Sequence, residues 1–193
     1  IRPVRSRIVD SGVKLAVENH GGALQARESK AMIEAVGPDV IGVCLDSGNP
    51  TWMLEDPQMT LEMLIDYTET CHVRDSAVWM VPEGIAVRWV NMGDGNVDID
   101  GWVRKFIQAK PGMPLIFENL VSGRPRIHHI YDPAFWDNWR KMPAWEFARF
   151  LALAEKGTPK PATPRAPGKT AGQQRIEDLE TCVTYTRDLL RRI

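Results

Sequence analysis

Four short, almost wholly apolar segments alternate with stretches of helical spacing, and this alternation constrains the fold more than any other feature of the sequence. The apolar segments cover residues 13–17, 40–45, 70–73 and 114–117. Strands that are apolar along their whole length are typical of parallel sheets covered on both faces. Alternation of such strands with helices predicts an α/β sheet or barrel.

Helix signals stand between the apolar segments. One helix is predicted over residues 27–35, and Asp56-Pro57 predicts the start of a second that runs to about Tyr67, because Asp caps helices and Pro suits the first helical position. Asp98 is the predicted cap of a third. The chain thus holds four strand–helix units. A closed (β/α)₈ TIM barrel needs eight units and about 250 residues, so we predict that this chain supplies half of one.

The C-terminal part has a different character. Residues 158–172 hold four prolines and two glycines without an apolar period, which predicts an extended connector. Helical spacing returns after it. We therefore divide the chain into a half-barrel over 1–157, a Pro/Gly-rich connector over 158–172 and a C-terminal helix over 173–193.

Composition narrows the range of partners. The formal net charge of −1 argues against sequence-independent binding of nucleic acid, and no apolar run approaches the roughly 20 residues that cross a bilayer. Three scattered cysteines favour reduced thiols in a cytosolic protein. We expect a cytoplasmic protein. Because the chain opens at Ile1 without an initiator Met, we expect its true start to lie upstream, and targeting stays open.

A side chain that can bind a metal stands at the carboxyl end of every predicted strand. These residues are Glu18, Asp46, His72 and Glu118. Active sites of α/β barrels lie at this rim, so four neighbouring strand ends are expected to direct four ligands to one place. Taken singly, each residue has a structural alternative as a cap, turn or core residue. Three carboxylates and one imidazole suit Mn²⁺ or Mg²⁺ first, with Co²⁺ or Zn²⁺ as alternatives.

Residues close behind the predicted ligands are candidates for substrate binding. We assign this role to His20, Asn49 and Arg74. Arg74 could hold a carboxylate or phosphate in its guanidinium fork, or form a surface salt bridge with Asp75. The glycines of 93–95 allow a phosphate loop or a tight turn, and both readings stay open.

Several aromatic residues have two readings. Trp52, Trp79 and Trp89 are predicted on rim loops, where packing is favoured over stacking against a sugar ring. His128 and His129 are predicted in a solvated loop rather than over the site.

Five motifs carry a resemblance to a known family. They are LAVENHGG (15–22), CLDSGNP (44–50), HVRDS (72–76), GDGNVD (93–98) and FEN (117–119). In this order and spacing they resemble the xylose-isomerase-like barrel superfamily, and most closely its sugar phosphate isomerase/epimerase branch. The resemblance implies strands five to eight of the barrel and one divalent metal held by the four rim residues. It also implies that Glu18 and Glu118 form the acid–base pair.

The leading hypothesis is therefore an enzyme, a divalent-metal-dependent isomerase or epimerase of a sugar or related hydroxy-carbonyl compound, with proton transfer through an enediolate. One alternative is a metal-dependent lyase of the inositol dehydratase kind, and another is an inactive half-barrel or binding module, which could pair as a homo-oligomer. The superfamily also contains AP endonucleases with three metals. This chain has Asn49, Val87 and Trp89 where those enzymes carry further ligands, so nucleic acid is not the expected substrate.

Overall fold

The computed structural model of the chain describes residues 1–118, 121, 123–162 and 167–193. The strands are β1 (Leu15–Glu18), β2 (Ile41–Asp46), β3 (Thr68–His72), β4 (Asp75–Val81), β5 (Gly84–Val90) and β6 (Arg126–His128). The α-helices are α1 (Arg5–Ser11), α2 (Ala26–Val36), α3 (Asn49–Trp52), α4 (Pro57–Leu64), α5 (Ile99–Ala109), α6 (Ala144–Lys156) and α7 (Ala171–Leu190). Short 3₁₀ helices cover Arg2–Val4, Ile65–Tyr67 and Pro133–Asn138.

The first three strands form a parallel sheet in the order β1-β2-β3. All six residues of β2 are buried, as its apolar sequence predicts for a central strand. The fourth predicted strand is reduced to one parallel bridge between Val73 and Phe117. Pro114 lies within this segment and has no N–H to donate, which limits the ladder that it can form. The carboxyl ends of these strands nevertheless lie side by side.

A second sheet, which we did not predict, is antiparallel and has the order β4-β5-β6. Strands β4 and β5 form a hairpin in which Val81 pairs with Gly84, so that Pro82 and Glu83 make the turn. The described residues thus form one parallel and one antiparallel sheet. They do not form a closed barrel.

The helices bury their apolar faces in one core that includes residues of both sheets. Helix α5 contributes Trp102, Val103 and Phe106, and α6 contributes Phe150 and Ala154. The predicted caps are present, since Asp56 accepts from the Gln58 N–H and Asp98 accepts from the Gly101 N–H. No helix within the described ranges has the length and apolar character that crossing a membrane requires.

The described residues of the predicted connector, 158–162 and 167–170, lie outside helices and strands and are exposed except for Lys169. The Arg88 guanidinium donates to the carbonyls of Lys160 and Pro161, at 3.3 and 2.8 Å, and so fixes one part of this segment. Helix α7 begins at Ala171, earlier than predicted, and Thr170 caps it. Residues 163–166 lie outside the described residues.

Candidate metal centre

The structure brings together the four residues that end the parallel strands. Glu18 ends β1, Asp46 ends β2, His72 ends β3, and Glu118 directly follows the bridge at Phe117. Asp46 lies opposite His72 in the ladder, so parallel pairing alone brings these two side chains to the same edge. One ligand atom from each residue lies within 4.8 Å of all the others. We name these four residues the rim cluster.

The imidazole of His72 lies between the two glutamates. Its Nδ1 is 3.4 Å from Glu18 Oε1 and 3.4 Å from Glu118 Oε2. This nitrogen is buried and, within the described part of the chain, makes no hydrogen bond. A buried nitrogen without a partner costs free energy, which a ligand would recover. With three oxygen donors and one imidazole, the rim cluster fits a divalent cation that prefers oxygen.

Arg74 lies inside the rim cluster and is only 3% exposed. Its Nε and Nη2 donate to Asp46 Oδ2 at 2.9 and 2.6 Å, and Nη2 also contacts Glu118. The alternative of a salt bridge to Asp75 is therefore wrong. Gly48 makes room for this arrangement, because a Cβ at that position would lie 2.4 Å from Arg74 Cγ.

Asn49 connects two of the carboxylates. Its backbone N–H and that of Gly48 donate to Asp46 Oδ1 at 2.6 and 2.8 Å. Its side-chain Nδ2 donates to Glu18 Oε1 at 2.9 Å. His20 is exposed and its side-chain Nδ1 lies 3.1 Å from the carbonyl of Gly21, which is outside the rim cluster.

Two further residues hold the strand ends together, and we did not predict them. Asn19 bonds both the N–H and the carbonyl of Asp46, at 2.7 and 3.0 Å. Ser47 bonds both the carbonyl and the N–H of Arg74 in the same way, at 2.6 and 2.9 Å. Each is a small polar residue directly after a rim ligand, and that position is the signal that could have identified them.

Burial shapes the electrostatics of the rim. It raises the pKa of Asp46, and the charge and hydrogen bonds of Arg74 oppose that shift. Burial and the carboxylates of Glu18 and Asp46 raise the pKa of Cys44 to about 12, so this thiol stays protonated beside the rim cluster.

The turn at residues 93–95 binds a side chain of the protein itself. The N–H groups of Gly93 and Gly95 donate to Asp75 Oδ2 at 2.9 and 3.0 Å, and the Ser76 N–H donates to Oδ1 at 2.7 Å. Burial raises the pKa of Asp75 to about 7, against the opposing effect of these amides. Of the two readings of this segment, the contacts favour the tight turn over a phosphate loop.

The aromatic residues near the rim differ from their predicted places. Trp79 and Trp89 lie in β4 and β5, and Trp52 lies in α3, so none of the three is in a loop. The rings of Trp52 and Trp89 stack with centroids 4.4 Å apart.

His128 is fully buried in β6 rather than solvated, and its Nε2 lies 3.1 Å from the Thr51 carbonyl. Burial lowers the pKa of His128 to about 4.

A family model described as the xylose isomerase-like TIM barrel matches residues 1–131, a range that includes the whole rim cluster. The chain belongs to this family. Among solved structures, the chain is similar to the crystal structure of a xylose isomerase domain protein from Planctomyces limnophilus, with 18% identity and a TM-score of 0.49. That match covers 62% of this chain and 43% of the other, so the chain spans less than half of the family member's length. None of the curated proteins matches the chain significantly.

Proposed function

We propose that this chain carries the metal centre of a divalent-metal-dependent isomerase or epimerase, and that it supplies strands five to eight of a TIM barrel. The substrate is a sugar or a related hydroxy-carbonyl compound. The observation that supports this proposal is the rim cluster, whose ligand atoms lie within 4.8 Å of one another. The family includes sugar isomerases and epimerases, which supports the reaction class.

The four residues of the rim cluster would hold Mg²⁺ or Mn²⁺. When bound, such an ion supplies a Lewis acid that polarises the substrate carbonyl and makes the neighbouring C–H more acidic. The side chain of Asp46 is 0% exposed, whereas those of Glu18 and Glu118 are 25% and 33% exposed, so the two glutamates are the carboxylates better placed to reach a substrate carbon. We therefore assign proton transfer to the two glutamates, and only ligand binding to Asp46 and His72.

One glutamate removes the proton beside the carbonyl, and the other returns a proton. Return to the opposite face gives an epimer, and return to the neighbouring carbon gives an isomer. Asn49 fixes one oxygen of Glu18, which leaves the other oxygen free to accept the proton. We propose His20, Asn49 and Arg74 as contacts for the substrate oxygens.

The proposal is tested by Glu118→Gln. Gln keeps one oxygen for coordination but cannot accept a proton near neutral pH, so metal binding should persist while proton exchange falls by about 10²–10⁴. The measurement is incorporation of solvent deuterium beside the carbonyl, over a panel of free and phosphorylated ketoses and keto-inositols. Metal content is measured on the same samples.

His72→Ala is the matched control, because it removes a ligand and leaves both glutamates in place. It should lower metal content as well as exchange. Exchange at the wild-type rate in metal-loaded Glu118→Gln would show that Glu118 is only a ligand. The two-glutamate mechanism would then fail, although the metal centre would remain.

A further inference from the structure

The guanidinium of Arg74 uses oxygens of the rim cluster that a cation would also use. It donates twice to Asp46 Oδ2, contacts Glu118 Oε2, and its Nη2 lies 3.8 Å from Glu18 Oε1. One positive group thus touches or approaches all three carboxylates. A cation bound by the same carboxylates would lie next to this charge.

The contacts of Asp46 make the competition specific. A carboxylate oxygen has about two acceptor sites. Oδ1 accepts from the backbone of Gly48 and Asn49, and Oδ2 accepts twice from Arg74. The Oδ1 donors are the backbone amides of Gly48, which caps α3, and of Asn49, which begins it, so they are fixed by the fold. Oδ2 is therefore the oxygen of Asp46 that can coordinate a cation. It becomes available only when the Arg74 guanidinium gives up its hydrogen bonds to it.

We propose that Arg74 and the divalent cation exchange at the rim cluster: the guanidinium leaves Asp46 Oδ2 and Glu118 when the cation binds. This inference rests on the proposed metal centre. Arg74 lies with its Cζ 4.2 Å from the centroid of the Trp89 ring, and its Nη1 is buried without a hydrogen bond among the described residues. The guanidinium can therefore rotate while it stays stacked on the ring. Its Nη1 can then donate a hydrogen bond to a new acceptor.

Exchange has a measurable consequence for affinity. Arg74 occupies a ligand oxygen and repels a second cation, so it lowers the affinity of the rim cluster for the metal. Arg74→Met removes the charge and the hydrogen bonds but keeps an apolar stem of similar length. It should bind Mn²⁺ about tenfold more tightly than the wild type, because a like charge beside the cation is removed and Asp46 Oδ2 is freed. Arg74→Lys keeps the positive charge but lacks the paired N–H donors of the guanidinium, so its Mn²⁺ affinity should lie between those of the wild type and Arg74→Met.

The affinities are measured by calorimetric titration of the purified chain with Mn²⁺ alone. Affinity that is unchanged or weaker in Arg74→Met would overturn the exchange, because Arg74 would then position the ligands rather than compete with the metal. Far-ultraviolet circular dichroism checks that each variant folds.

A second measurement needs no Arg74 variant. Because Arg74 stacks on Trp89, movement of the guanidinium relative to the ring should change the fluorescence emission of this indole. The titration uses Mg²⁺, because this cation does not itself quench tryptophan fluorescence. Trp89 is one of seven tryptophans, so the signal is the Mg²⁺-dependent difference between the wild type and Trp89→Phe. We expect this difference to follow the calorimetric binding curve.

The outcomes separate the two proposals. If the wild type binds neither Mn²⁺ nor Mg²⁺, the metal centre itself fails. If it binds them while the emission of Trp89 stays constant, the exchange is refuted and the metal centre stands.

Discussion

Asp46 ends β2 and Asp75 begins β4, and these two buried carboxylates differ in the donors that satisfy them. Asp75 accepts three backbone N–H groups, two of them from the turn at 93–95. Asp46 accepts two backbone N–H groups on one oxygen and the Arg74 side chain on the other. The chemistry of the carboxylate is the same in both places.

This difference between backbone and side-chain donors indicates which carboxylate is available to a ligand. Backbone donors withdraw only if the turn that carries them unfolds, whereas a side chain withdraws by rotating. Asp75 therefore stabilises a turn, and Asp46 can exchange one partner for another. Residue type alone does not show whether an acidic residue at a barrel rim stabilises a turn or is available to a ligand. The donors that its carboxylate binds, backbone or side chain, distinguish the two roles.

The largest effect that would sharpen this comparison is on metal affinity. His72→Ala removes the imidazole of the rim cluster, and we expect it to weaken Mn²⁺ binding by about 100-fold or more, since even loss of a group behind a ligand costs 10–100-fold. Asp75→Asn should leave the affinity within about threefold, because Asp75 faces the turn. Calorimetric titration with Mn²⁺ measures both. If Asp75→Asn weakened Mn²⁺ binding as much as His72→Ala, Asp75 would belong to the metal centre. The nature of the donors would then not distinguish a structural carboxylate from one that binds a ligand.

The next effect is on stability at the turn. A Cβ on Gly95 would lie 2.2 Å from the Ser76 carbonyl and 2.3 Å from Asp75 Oδ1, so Gly95→Ala must push apart the backbone that binds this carboxylate. We expect a loss of about 2 kcal/mol in the free energy of unfolding. Gly123→Ala is the control, because a Cβ at Gly123 meets nothing within 4 Å. Urea unfolding measures both variants, and a Gly95→Ala protein as stable as the control would show that the turn does not need this close approach.

Local signals explain how much of the fold could be predicted. An unbroken apolar run marks the central strand β2, and Asp56-Pro57 marks the start of α4, because each signal lies within a few residues. The hairpin of β4 and β5 was missed although Pro82 lies in its turn and Gly84 directly follows it. Strand β5 pairs with β4 and also with β6, about 40 residues further on, and no local pattern indicates such a distant partner.

The rim cluster was predictable because each of its residues ends or directly follows an apolar segment, and parallel pairing brings the ends of such segments to one edge. The partner of Arg74 was not assigned correctly, since Asp75 is next to it in the sequence and Asp46 is 28 residues away. Consecutive side chains of an extended segment point to opposite sides, and this rule alone argues against the adjacent pair. The burial of His128 depends on Phe135 and Phe150 packing around its ring, which residue type does not reveal.

The smallest effect concerns Glu55, a third buried carboxylate, whose Oε1 accepts the Ala26 N–H at the start of α2, at 2.8 Å. Burial raises the pKa of Glu55 from 4.5 to about 8. A carboxyl group with a raised pKa stabilises the folded state in its protonated form. That contribution is complete below pH 4.5 and is lost as the pH rises through 8. Because its hydrogen-bond donor among the described residues is a backbone amide, we expect Glu55 to act on stability only.

Glu55→Gln keeps the acceptor for Ala26 and cannot ionise, so it should abolish this part of the pH dependence. Between pH 6 and 7, the wild type should lose about 1 kcal/mol more per pH unit in its free energy of unfolding than the variant does. The contribution of Asp75 cancels, because both proteins contain it. Glu155→Gln, which changes an exposed carboxylate, should keep the wild-type slope. Equal slopes for Glu55→Gln and the wild type in urea unfolding would mean that Glu55 is ionised in the folded protein. A single backbone donor would then suffice to hold a buried charge, and the number of donors would no longer separate structural carboxylates from those open to a ligand.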